Sequence, residues 1–66
     1  MNVIVNGKPE ILEQEISVLS LVQSKGFNPA RVVVELNDEI LKPKDWENET
    51  LKENDTLEII KIVSGG

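Results

Sequence analysis

Hydrophobic residues fall in short, separated bursts along this chain, and their spacing changes from burst to burst. Met1-Asn-Val-Ile-Val5 is rich in β-branched residues and alternates weakly, which predicts a strand. Asn6-Gly7 follows at once, the dipeptide of tight hairpins, because both central turn residues must take positive φ. A returning strand is expected over about Lys8 to Glu15, with Ile11 turned inward and Pro9 marking an edge. At Ser17 the period changes. Val18, Leu19, Leu21 and Val22 form one helical face, Ser17 is placed to cap it, and Ile16 with Leu21 has the spacing of a hydrophobic staple. Gly26 is a good residue just past a helix end, so the helix is predicted over about Val18 to Lys25.

Phe27 to Ala30 connects to a strand at Arg31–Leu36, with Val32, Val34 and Leu36 on one face and Val33 and Glu35 on the other. Asn37-Asp38 predicts a second tight turn into the short strand Glu39–Leu41. Lys42 to Thr50 has too little periodicity for a long element, and its single tryptophan, Trp46, is expected to plug the core. Lys52 to Asp55 reads as a turn with Asn54 in the left-handed region. The last strand is expected over Thr56–Val63, with Leu57, Ile59 and Val63 on one face and Ile60 and Ile62 on the other. The first and last strands are apolar on both faces, as central strands are. Setting them side by side and parallel, with the helix across one face, predicts an α+β fold of the ubiquitin-like β-grasp type: a mixed four- to five-stranded sheet and one main helix. Residues 1–63 form that domain, and Ser64-Gly65-Gly66 form a flexible C-terminal tail.

Composition narrows the chemistry. There is no histidine and no cysteine, so the commonest general base, the commonest metal ligand and the thiolates are all missing; a metal site and independent catalysis are not expected. Twelve acidic and seven basic side chains give a net charge of −5, with the cations scattered among carboxylates. That distribution argues against a nucleic-acid binder and for a protein partner with a basic docking surface. The acidic residues Glu47, Glu49, Glu53 and Asp55 lack metal-ligand spacing and read as a solvated face. No apolar run approaches a membrane span, and the first residues lack a signal-peptide pattern, so a cytoplasmic protein is expected.

Three stretches carry a family resemblance over essentially the whole chain: VNG at Val5–Gly7, LNDEILKPKDW at Leu36–Trp46, and ENDTLEIIKIVSGG at Glu53–Gly66. The chain resembles the ubiquitin-like sulfur carriers, most closely the ThiS type of thiamin synthesis. Family members usually show N-G-E-x-V-P-R-x-x-W in the middle stretch and a D-G-D turn before the last strand. Here Asp38 and Asn54 stand in place of glycines, and Pro43 comes one position late. MoaD-type carriers of molybdopterin synthesis, which also end in two glycines, are the second choice, but they tend to carry prolines where this chain has Lys61-Ile-Val63. A ubiquitin-like modifier or binding module is the alternative of a different class, although Ser64 stands where a modifier typically has arginine near its tail.

The resemblance implies a protein co-substrate rather than an enzyme. The Gly66 carboxylate would be adenylated by a ThiF-like adenylyltransferase using ATP, converted to a thiocarboxylate with sulfur from a donor such as a cysteine desulfurase, and presented to a ThiG-like thiazole synthase. Ser64, Gly65 and Gly66 would enter the partner sites, and Gly65 and Gly66, without Cβ atoms, would pass a narrow slot. No bound cofactor is expected on the carrier. Ile4, Val33, Ile60 and Ile62, on the sheet face away from the helix and bordered by Glu35 and Glu58, form the expected docking patch for the activating enzyme and the synthase.

Overall fold

The computed structural model describes residues 1–63; the Ser64-Gly65-Gly66 tail, with the site predicted at Gly66, lies outside the described residues. Five strands form one sheet: β1 (Asn2–Val5), β2 (Lys8–Ile11), β3 (Val32–Leu36), β4 (Glu39–Leu41) and β5 (Thr56–Lys61), in the order β2-β1-β5-β3-β4. β1 and β5 run parallel at the centre, and every other pairing is antiparallel. Helix α1 (Val18–Ser24) contributes Val18, Leu21 and Val22 to a core shared with Val3, Val5, Val32, Val34, Leu57 and Ile59. This is the β-grasp arrangement expected from the two central apolar strands.

Local chemistry sets the element ends. The Ser17 hydroxyl accepts from the Ser20 amide at 3.1 Å and caps α1. At the other end Lys25 is the cap residue, and Gly26 takes φ +84°. The Gly26 amide donates to the Gln23 carbonyl at 3.0 Å and the Phe27 amide to the Val22 carbonyl at 3.3 Å. That pair of bonds is a Schellman stop with Gly26 just past the helix, as predicted, while α1 itself ends at Ser24, one residue short of the expected range. Asn6 and Gly7 take φ +50° and +80°, and Asn37 and Asp38 take +52° and +70°, so both predicted tight turns form. Asn54 sits at φ +70° as expected. Asp38 and Asn54, the two departures from the family's glycines, therefore occupy the left-handed conformation that glycine accepts most readily; short Asx side chains tolerate it.

β1 and β3 each begin one residue later than predicted, and two strands end early, each because its partner ends. β2 stops at Ile11 rather than Glu15, since Ile11 lies opposite Asn2, the first residue of β1. The same register turns Ile11 away from the core, and it is 77% exposed instead of inward. β5 stops at Lys61, opposite the first residue of β3. One more bond follows, from the Ile62 amide to the Arg31 carbonyl at 2.8 Å. Arg31 itself belongs to a 3-10 turn (Pro29–Arg31) and not to β3, so no ladder remains for Val63 to join. Val63, expected on the inner face, is exposed.

The irregular stretch between β4 and β5 carries a second set of core anchors. After a second 3-10 turn (Pro43–Asp45), Trp46 is buried, as predicted, and its indole Nε1 donates to the Leu41 carbonyl at 2.8 Å. Leu51 is buried in the same core, held where its amide donates to the Ile16 carbonyl. The acidic cluster is not all solvated. Asp55 is 9% exposed: one carboxylate oxygen accepts from the Lys52 amide at 2.7 Å and the other from Asn37 Nδ2 at 3.0 Å. Asn37 Oδ1 in turn accepts from the Thr56 amide at 2.9 Å. Asp55 thus ties the turn before β5 to the turn between β3 and β4, a role that reading it as part of a charge run concealed.

Candidate functional site

Register decides which side chains share the open face of the sheet. Val3 and Val5 of β1 point into the core, so Ile4 points out; Ile4 lies opposite Pro9 on one side and Thr56 on the other. On β5 the odd residues Leu57 and Ile59 are buried, which leaves Glu58 and Ile60 facing out. The antiparallel pairing then sets Val33 opposite Ile60 and Glu35 opposite Glu58. Ile4, Val33, Glu35, Glu58 and Ile60 therefore share the face away from α1, as the alternation predicts. Ile62 follows the end of β5 and is exposed.

Two residues of this face were not picked out from the sequence. Ile40 lies opposite Glu35 and is 70% exposed. The signal was available: the two-residue Asn37-Asp38 turn sets Glu39 against Leu36 and hence Ile40 against Glu35. Ile11 is the other, displaced from its expected inward place by the register with Asn2.

Charge on this face is concentrated rather than interspersed. Glu35 and Glu58 are direct cross-strand neighbours, an arrangement that costs stability because like charges oppose. Among the described residues the ion pairs are Lys25 with Glu10, Lys44 with Asp45 and Lys52 with Glu49, so no cation neutralises either carboxylate. Both are half-buried between apolar neighbours. The result is an acidic centre ringed by Ile4, Val33, Ile40 and Ile60. Among the described residues no group of three potential ligands forms a metal site, and no helix is long and apolar enough to cross a membrane.

β5 delivers its end beside this face. The strand is buried between β1 and β3 through Ile59, then emerges, and Val63 stands in solvent directly before the Ser64-Gly65-Gly66 segment. A rigid central strand thus sets the position from which the last residues start.

The arrangement has known relatives. The crystal structure of the thiamine biosynthesis protein ThiS from Geobacter metallireducens superposes with a TM-score of 0.85 and is 33% identical, with all of both chains covered. The ycf40 protein of Pyropia yezoensis is 40% identical over 62 residues, which covers 94% of this chain and 87% of that one. A thiazole synthase of Magnetococcus marinus is 29% identical over 66 residues, all of this chain but 20% of the synthase. The pattern of the ThiS family matches residues 3–66, from β1 through the glycine pair. This chain belongs to the ThiS family.

Proposed function

We propose that the protein is a sulfur carrier for thiazole formation in thiamin biosynthesis, with Gly66 as the working residue. The observation that carries this reading is the family match, which extends from Val3 in the central strand β1 to Gly66. A free α-carboxyl has a reference pKa of about 3.3–3.7 and is ionised at neutral pH, so it is nucleophilic but resists attack. In the proposed cycle a carboxylate oxygen attacks the α-phosphorus of ATP, the bond to the β-phosphate oxygen breaks, and pyrophosphate leaves. Hydrosulfide then attacks the acyl-adenylate carbonyl and expels AMP, leaving a thiocarboxylate. Where the donor is a cysteine persulfide, its terminal sulfur expels AMP to give an acyl disulfide, and a second thiol attacks the donor cysteine's sulfur, forming a disulfide and releasing the thiocarboxylate. The adenylating enzyme, the sulfur donor and the synthase supply the catalytic groups; the carrier supplies an acyl group on a thin stalk. A glycyl acyl group has no stereocentre to racemise, and this chain has no cysteine to intercept the activated acyl.

The apolar face around Glu35 and Glu58 serves in this reading as the docking surface, and its charge selects a partner presenting basic side chains. Thiazole synthase is favoured over a molybdopterin-forming acceptor because one thiazole synthase carries a segment similar to this whole chain.

The test is the position of the carboxylate. One residue added after Gly66, or Gly66 deleted, moves it by several ångströms, and a misplacement of about 1 Å can cost on the order of 100-fold in rate. Gly65→Val leaves the carboxylate in place but adds a branched side chain to the stalk. All three variants should melt like the parent and fail in ATP–pyrophosphate exchange with the cognate adenylating enzyme. After incubation with ATP and a sulfur source, the parent's intact mass should show oxygen replaced by sulfur. Near-parental exchange by the extended protein would sink the carrier reading, and a lysine adduct would replace it with a modifier.

A further inference from the structure

A second charged feature lies where β5 ends, opposite in sign to the acidic centre. A groove of about 260 Å³ opens between the α1–β3 connection and the end of β5, lined among others by Phe27, Asn28, Arg31, Val32, Lys61 and Ile62. In a chain of net charge −5, its walls among the described residues hold two cations and no carboxylate. Among the described residues Arg31 and Lys61, like Lys8 and Lys42, have no ion-pair partner, whereas Lys25, Lys44 and Lys52 each have one; Arg31 and Lys61 are the two that share one groove.

Both cations are positioned by the fold. Lys61 continues the inward parity of Leu57 and Ile59, but the core has run out at its level and the side chain is exposed. Its ammonium stands 5.8 Å from the centroid of the Phe27 ring, within cation–π range, which restrains a long side chain that would otherwise sample many rotamers. Arg31 is fixed at the backbone by its carbonyl's bond from the Ile62 amide and by its own amide's bond to the Asn28 carbonyl at 2.9 Å. The two therefore flank the last backbone bond before the chain leaves the sheet. The volume is below the roughly 300–1,000 Å³ of small-molecule sites, and suits a side chain rather than a cofactor.

We propose that Arg31 and Lys61 form a cationic collar that pairs with carboxylate side chains on the rim of the slot into which the adenylating enzyme admits residues 64–66. The inference rests on the carrier reading and extends it. The acidic centre meets basic groups on the partner's face, and the collar meets acidic groups at the slot mouth. A partner with the two charges in the opposite places is repelled at both, so the pair of patches sets the orientation of approach as well as affinity. Charges at an interface rim act chiefly on encounter rate and salt dependence, which gives the collar a signature distinct from the transfer chemistry.

The experiment is ATP–pyrophosphate exchange with the cognate adenylating enzyme across a salt series, for the parent and for the doubly substituted Arg31→Gln/Lys61→Gln and Arg31→Glu/Lys61→Glu. Both side chains are exposed, and circular dichroism should show parental folding. Reversal should raise KM for the carrier by at least about 10-fold, as like charges meet at the slot, with kcat within about twofold of the parent. The neutral variant should fall between and lose much of the parent's salt dependence. A KM within about twofold of the parent for the reversed variant, with exchange otherwise intact, overturns the collar and leaves the carrier reading standing. Should reversal disturb the fold, an unchanged KM and salt slope in the neutral variant overturns the collar equally well. Absence of exchange by the parent itself overturns the carrier reading and the collar with it.

Discussion

Leu57 and Ile60 stand three residues apart on the same strand, yet Leu57 is fully buried and Ile60 is 45% exposed. The difference lies in what covers each face of β5. Its odd positions share a core with α1 and with Trp46 and Leu51 of the irregular segment; over its even positions no helix or loop among the described residues packs. The same parity extends beyond the strand in both directions. Asp55, odd and just before β5, is buried and fully hydrogen-bonded, while Lys61, odd and at its end, finds the core exhausted and lies over Phe27. One face holds the fold together. The other is apolar and acidic without any internal use for either property, and the two faces should respond to substitution in opposite ways.

The largest expected effect is on the sealed face. Ile59→Asp puts a carboxylate among Val34, Leu57 and their neighbours with no partner, a change that costs several kcal/mol and approaches the roughly 5–15 kcal/mol total stability of typical domains. The cooperative melt followed by circular dichroism should be lost. A normal melt would mean that the parity assignment of β5 is reversed.

Asp55→Ala comes next. It strips the acceptor from the Lys52 amide and from Asn37 Nδ2, and should destabilise by about 1–3 kcal/mol in a urea titration. Asp55→Asn keeps one acceptor oxygen and should lose less; equal losses would show that charge, not hydrogen-bond geometry, holds the turn.

Glu58→Lys moves in the other direction. It replaces a like-charge neighbour of Glu35 with an opposite one and should raise the urea midpoint by an amount equivalent to about 0.2–1 kcal/mol. Binding to a basic partner should weaken at the same time, since the acidic centre is removed. Stability and binding that change together, rather than oppositely, would break the contrast between the faces.

The smallest stability change belongs to Ile60→Asp, within about 0.5 kcal/mol of the parent, because the side chain is already in contact with water. Affinity for the adenylating enzyme, measured by calorimetry, should nevertheless fall. Undiminished affinity would remove this face from the docking surface.

The sequence showed most of this wherever local chemistry and period acted together. Asn6-Gly7 and Asn37-Asp38 place two hairpins, Ser17 and Gly26 bracket the helix, and the β-branched residues of β1 and β5 identify the parallel centre. It misled where an outcome depended on a distant partner. Nothing within Lys8–Glu15 says that its neighbour begins at Asn2, and so the pattern predicts β2 too long and Ile11 on the wrong face. Val63 looks like strand until Arg31 is found in a 3-10 turn. Asp55 resembles its acidic neighbours because its partner, Asn37, lies 18 residues away. The open face was legible in part: alternation supplied Ile4, Val33 and Ile60, whereas Ile40 required carrying the turn geometry across a second strand.

β5 also outruns β1. The parallel ladder reaches only from Ile4 opposite Thr56 to Val5 opposite Leu57, and Asn6 Oδ1 then stands in for the missing strand by accepting from the Ile59 amide at 2.7 Å. Past that bond no strand among the described residues lies along the β1 side of β5. A free strand edge invites a second molecule to add its own, the first step of intermolecular sheet growth. Here the overhang is brief and carries Lys61, which makes self-association costly by setting like charges together. The molecule thus leaves the β1 side of its central strand open over a short stretch that β3 still pairs on the other side, and a longer or uncharged overhang would invite strand addition more strongly.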